Sequence, residues 1–141
     1  MRPSAKGGFT LIEVIVAITI LSVLAAFAVP RFASIERQAR IASRDALASS
    51  VRSTAALVHA LWLAEGGAGS AVTLEGRPIA IENGYPAAES IALALADYTG
   101  YALDGGEKTT TFANDRVPTC RVTYTEARPG SAPAVVTTGP C

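Results

Sequence analysis

Glu13 is the single charged residue in an apolar run from Phe9 to Val29, FTLIEVIVAITILSVLAAFAV. A carboxylate in hydrocarbon costs on the order of 2.5 to 3.5 kcal/mol on insertion scales, so it calls for a cation and a purpose. Phe9 stands four residues earlier, one helical turn away, and is preceded by Gly7-Gly8. A cut between Gly8 and Phe9 would create an α-amino group within reach of Glu13, in the same chain or in an adjacent copy. The cut and the carboxylate explain each other.

The other residues able to do chemistry are few. Cys120 and Cys141 are the only cysteines. An even count in an exported chain suggests one disulfide, against the alternative of two unrelated thiols. A bridge closing a loop of roughly 20 residues would restrict the unfolded chain by about 3 kcal/mol. His59, the only histidine, has no cysteine, histidine or carboxylate at metal-ligand spacing and reads as a core or surface residue. Asp97, Asp104, Glu107 and Asp115 lie across turns without EF-hand spacing and read as solvated loop carboxylates. HExxH, GxSxG, phosphate-loop and cysteine-histidine arrangements are all missing. No catalytic residue, metal or cofactor is expected, and the chain does not read as an enzyme.

The elements that must position these residues follow from length and pattern. With 141 residues the chain has room for one ordinary domain plus a terminal appendage. Twelve basic and twelve acidic side chains cancel, which gives no support to a nucleic-acid partner. The apolar run is about 20 residues long, the length of a membrane-spanning helix. Arg2 and Lys6 before it favour keeping that end in the cytoplasm, although Arg31, Arg37, Arg40 and Arg44 follow it. Two ordinary readings compete. A secretory signal peptide would be cut after Ala28, behind Ala26-Phe27-Ala28, but the run exceeds the usual 7 to 15 residues of a signal core and contains an acid. A plain membrane anchor leaves Glu13 unexplained.

Pro30 ends the run and predicts a kink over Val29 to Arg31, because proline removes a backbone donor. From Arg31 to Glu65 a helical pattern resumes, with Leu47, Val51, Ala55, Val58 and Trp62 on one face. Trp62 is expected in the core. Gly66-Gly67 provides a stop. Val72 to Leu74 and Pro78 to Ile81 flank the turn Glu75-Gly76 and predict a hairpin, and Asn83 to Pro86 predicts a second turn. A short helix over Ala87 to Asp97 and strands over Thr109 to Phe112, Arg121 to Glu126 and Ala134 to Thr138 complete a small, mainly antiparallel sheet laid on the second half of the long helix. The class is α+β.

The segment GGFTLIEVIVAITILSVLAAFAVP, ending at Pro30, resembles the N-terminal signature of type IV prepilins. The resemblance implies cleavage after Gly8 by a membrane aspartic prepilin peptidase that also N-methylates Phe9. It implies that Glu13 matches register between subunits by meeting a Phe9 amine. It divides the chain into a leader (1–8), a transmembrane and filament-core helix (9–30) and a head (31–141). The expected product is a structural subunit, held in the inner membrane as a single-pass precursor and then assembled into an extracellular pilus for adhesion and motility. The implied partners are further copies of the chain, the peptidase and the inner-membrane assembly machinery, with no nucleic acid.

Cys120 to Cys141 is similar to the disulfide-bounded C-terminal region of many type IV pilins. More narrowly, Val29 to Phe32 (VPRF), Asn83 to Pro86 (NGYP) and Cys120 to Glu126 (CRVTYTE) resemble the mannose-sensitive haemagglutinin pilin family. Many type IV pilins carry a glycine in the apolar helix that helps it unwind in the fibre. Here Ser22 occupies that region and no glycine lies between Phe9 and Pro30, so melting between Ser22 and Pro30 is less favoured. Two other products fit parts of the sequence: a pseudopilin or minor pilin of a type II secretion-like filament, and a secreted binding domain beginning at Val29.

Overall fold

The computed structural model describes residues 8–141. The expected leader, with Arg2, Lys6 and Gly7, lies outside the described residues except for Gly8. One helix, α1 (Leu11–Ala64), is followed by β1 (Ala71–Leu74), β2 (Arg77–Glu82), β3 (Tyr85–Pro86), α2 (Ile91–Ala94), β4 (Tyr101–Gly105), β5 (Thr109–Asn114), β6 (Arg121–Thr125) and β7 (Ala134–Thr138). The chain divides into two units, one ending at Arg37 and one covering Gln38–Cys141.

In the first unit every described residue is exposed, although Leu, Ile and Val dominate the sequence. The part of α1 within it is long and apolar enough to cross a membrane. Its hydroxyls are satisfied locally. Thr19 Oγ1 donates to Ile15 O and Ser22 Oγ to Ile18 O, both at 2.7 Å, so both hydroxyls are satisfied within the helix. Pro30 lies inside α1, which runs from Leu11 to Ala64 without a break.

In the second unit α1 buries Leu47, Ala48, Val51, Ala55 and Val58, a spacing of three and four that puts them on one stripe. Four of them pack with Ile91, Leu95, Tyr101, Phe112, Val122 and Tyr124. Val58 packs separately with Val72, Ile79 and Ile81. The expected single sheet is therefore two: β1-β2-β3 and β4-β5-β6-β7, each antiparallel throughout. In the larger one, Thr110 faces Tyr124 and Phe112 faces Val122 across the β5–β6 ladder. These four are buried while their neighbours are not, the period-two signature of a half-buried sheet.

The punctuation follows the glycines. Gly67 N donates to Trp62 O at 2.9 Å and Gly66 N to Leu63 O at 3.1 Å, with both glycines at positive φ. These paired bonds close α1 in a Schellman motif. Glu75-Gly76 and Asn83-Gly84 all have positive φ and each pair connects adjacent strands as a two-residue turn of the I′ kind. The second turn is thus Asn83-Gly84 alone, because Tyr85-Pro86 pairs with Glu82 and Ile81 as β3.

Two other expectations are corrected. The helix foreseen over Ala87 to Asp97 is only Ile91–Ala94. Ser90 Oγ donates to Ala80 O at 2.9 Å, pinning the preceding turn to β2, and Leu95 is already extended. Asp97 Oδ1 accepts from Thr99 N and Thr99 Oγ1 at 2.9 and 2.6 Å, a local arrangement that competes with helix. Strand β4 was not expected. Only Tyr101 in it is buried, so it is an edge strand with no alternating pattern to reveal it.

Candidate functional site

Leu11 is the first residue of α1, which makes Thr10 its N-cap and Glu13 its third position. Thr10 N and Thr10 Oγ1 both lie 2.8 Å from Glu13 Oε2, and Glu13 N lies 3.4 Å from Thr10 Oγ1. This is a capping box, in which side chain and backbone of the two residues satisfy each other's free donors. Thr10 was not among the anticipated functional residues, yet Thr-x-x-Glu ahead of an apolar run carries the signal. In the uncut chain Glu13 therefore has an internal partner. Its Oε2 is engaged by Thr10, and its place on an exposed turn leaves the carboxylate open to a second group. The Phe9 nitrogen is a peptide amide until a cut is made, so no Phe9–Glu13 ion pair exists here.

Phe9 is 88% exposed. A Cβ built onto Gly8 would meet no atom within 4 Å, so among the described residues no close contact requires glycine there. Ile12, Glu13, Val16, Ala17 and Ile20 line an open groove along the same stretch of α1.

In the second unit Cys120 and Cys141 form a disulfide with their Cα atoms 4.8 Å apart, resolving the two readings of the cysteines in favour of the bridge. The closed loop is tied to α1. Arg40 Nε donates to Cys141 O at 3.1 Å, Arg44 Nη1 to Gly139 O at 3.4 Å, and Arg52 Nη2 to Val135 O at 3.0 Å. Gly139 has a positive φ, and a Cβ there would collide with Thr119 O, so this approach demands glycine.

Two of the short motifs meet. Asn83 Nδ2 donates to Ala127 O at 2.9 Å and Tyr124 Oη to Pro86 O at 2.7 Å. Tyr124 is fully buried. Burial, then the nearby charges of Glu126 and Tyr85, hold its phenol above the ordinary range. His59 Nδ1 lies 2.7 Å from Gly84 O, and its ring stacks on Tyr85 at 4.1 Å and 7°. A Cβ on Gly84 would come within 3.0 Å of the Trp62 ring and 3.4 Å of His59. Trp62, expected in the core, is half-buried. It packs beside the smaller cluster and donates from Nε1 to Gly69 O at 2.8 Å.

Among the described residues no group of three His, Cys, Asp or Glu side chains could hold a metal ion. A cleft of about 400 Å³ beside Asn83 presents Glu82, Glu126, Lys108 and Arg128.

The family described as the prokaryotic N-terminal methylation motif matches residues 3–29. The chain is 50% identical over 50 residues to the type IV narrow pilus major component PilA5 of Thermus thermophilus, a stretch covering 36% of this chain and 43% of that protein. The chain therefore spans less than half the length of the curated relative it matches. No solved structure matches it.

Proposed function

We propose that this chain is the precursor of a type IV pilin-like filament subunit, cut after Gly8, N-methylated on Phe9 and assembled through its apolar helix. One observation carries the reading: an unbroken helical surface of exposed apolar residues begins at a capped glutamate, within a match to the N-terminal methylation motif. Such a surface is stable in lipid, and it is stable in water only when other copies cover it. The resemblance to the Thermus pilus component supports a structural role over a catalytic one.

In the mature subunit, the new Phe9 amine and the Glu13 carboxylate would neutralise each other within or between copies. Extraction from lipid into the filament core then moves a paired charge, which costs far less than two isolated ones. The capping box gives Thr10 a part in this. It anchors Oε2 of Glu13 and so sets the direction in which the carboxylate meets the incoming amine. Inner-membrane residence before assembly, handling by a prepilin peptidase and assembly machinery, and surface exposure afterwards belong to the same reading. At a finer level, the VPRF, NGYP and CRVTYTE segments support a haemagglutinin-type adhesive pilus. A secretion-like pseudopilus shares the processing and differs in which filament the chain enters.

The test has two parts. Mass spectrometry of the mature N-terminus should show methylated Phe9; a terminus at Val29 would make the chain a secreted domain. Glu13→Ala should insert in the membrane as before while filament yield falls by about a hundredfold, the equivalent of an unpaired amine costing about 2.5 to 3.5 kcal/mol. Normal yield from that variant would end the pairing argument. Composition of sheared surface filaments then distinguishes pilus from pseudopilus.

A further inference from the structure

We propose that Arg44 makes Cys141 the attacking thiolate when the Cys120–Cys141 bond forms. Arg44 Nη1 lies 3.6 Å from Cys141 Sγ, and its side chain is only 16% exposed. The sulfur is held beside this cation by contacts that do not involve the bond between the sulfurs: Arg40 Nε to Cys141 O, Arg44 Nη1 to Gly139 O, and Thr119 Oγ1 to Pro140 O at 3.0 Å. The same docking is therefore available to the dithiol. A guanidinium next to a sulfur favours its thiolate, whereas apolar burial favours the neutral thiol. Cys120 is wholly buried and Cys141 half-buried. The two cysteines thus differ in both charge environment and access, and Cys141 is the one an oxidant meets.

With a disulfide-class oxidant RS–SR, the Cys141 thiolate attacks one sulfur, forming Cys141–S–S–R and releasing RS⁻, which takes a proton from water. Cys120 then gives its proton to solvent and attacks Cys141 Sγ, expelling the second RS⁻. Two electrons pass from the dithiol to the oxidant, leaving one protein disulfide and two RSH. Arg44 acts on the first step as a positioning residue. The charged groups placed against Cys141 include Arg40 and Arg44 on α1, with Asp45 bound to Arg44 Nε and Nη2 at 2.9 and 2.8 Å, and, in the chain tested, the α-carboxylate of Cys141 itself, an opposing charge that every variant shares. On the sheet side, Arg121 pairs with Thr138 across the β6–β7 ladder. Because Asp45 offsets part of the Arg44 charge, its removal should have the opposite effect to removal of Arg44. The inference stands apart from filament assembly.

The full chain is reduced in detergent micelles, and closure by oxidised glutathione is timed at about pH 7 and again about one unit above the roughly 8.5 of a free thiol. Arg44→Gln should slow closure about threefold near pH 7 for each unit of thiolate stabilisation lost, since reduced ionisation is partly offset by higher nucleophilicity. The deficit should disappear or reverse at the higher pH, where the thiol ionises unaided and the more basic thiolate of the variant is the better nucleophile. Arg44→Lys should keep most of the neutral-pH rate, and Asp45→Asn should exceed the unmodified chain. Equal rates near pH 7 would overturn the proposal, as would equal slowing at both pH values, which is the mark of a mere docking defect. If Arg44→Gln fails to fold, Asp45→Asn decides alone: a faster rate supports the role, and an unchanged or slower one removes it.

Discussion

α1 carries two apolar surfaces of different fate. Between Leu47 and Val58 one stripe of it, Leu47, Ala48, Val51, Ala55 and Val58, is buried by other parts of the same chain, while Leu57 on another face is exposed. From Gly8 to Ala39 every residue is exposed, including Phe9, Leu11, Ile12, Leu21 and Phe27. Burying one such side chain is worth about 1.5 to 3 kcal/mol, so the second surface holds a large unrealised driving force. The buried part of α1 gives the head its stability, and the exposed part gives the molecule something to do. Glu13 and Thr10 mark the difference. In the head, buried polar groups such as Tyr124 Oη are matched permanently within the chain, whereas at the start of α1 the carboxylate is matched on one oxygen by its own turn and keeps the capacity to take a partner.

If the two surfaces are independent, damage to one should leave the other intact. The largest effect is expected from Phe112→Ala, which empties the middle of the main core and should lower head stability by about 3 to 5 kcal/mol. Chemical denaturation would show the loss, with membrane insertion unchanged; impaired insertion would mean that the two regions are coupled. Reducing the Cys120–Cys141 bridge, which spans 21 residues, should cost about 3 kcal/mol in the same assay.

Thr10→Val is smaller and reversed in location. Loss of the cap costs about 0.5 to 2 kcal/mol of helix stability, so filament yield should fall while head unfolding does not move, and Thr10→Ser should restore it. The least effect concerns Asp97, whose carboxyl is held below its ordinary 3.8 by bonds from the Thr99 hydroxyl and backbone. A depressed folded value contributes stability above pH 3.8 that is lost as pH falls through that lower value. Asp97→Asn should flatten the acid limb of head stability slightly, and an unchanged limb would show that the exposed turn contributes nothing.

Much of this was readable from residues in order. The Gly66-Gly67 stop, the Glu75-Gly76 hairpin, and the strands around Phe112, Tyr124 and Val136 lay where glycine placement and period-two patterns put them. Short segments held by distant partners were not readable. Ser90 bonds Ala80 and shortens α2, and β4 shows no alternation because its one buried residue is Tyr101. The two-sheet arrangement was likewise hidden, since strand count does not reveal which edges fail to pair. At the candidate site Gly8, Phe9 and Glu13 stood out by type and spacing. Thr10 did not, because its bonds to Glu13 depend on the helix starting at Leu11, a boundary that the apolar run from Phe9 does not mark.

The sequence by itself determined the apolar helix, its lone carboxylate one turn after Phe9, and the stops and turns of the head, because each depends on residues within a few positions of one another. Only the tertiary structure decided that Cys120 and Cys141 are bridged, that Arg40 and Arg44 hold the closed loop, and that the Asn83 turn is fastened to the segment after Tyr124. Those contacts join residues 21 to 101 positions apart, and distance along the chain carries no record of them until packing brings the partners together.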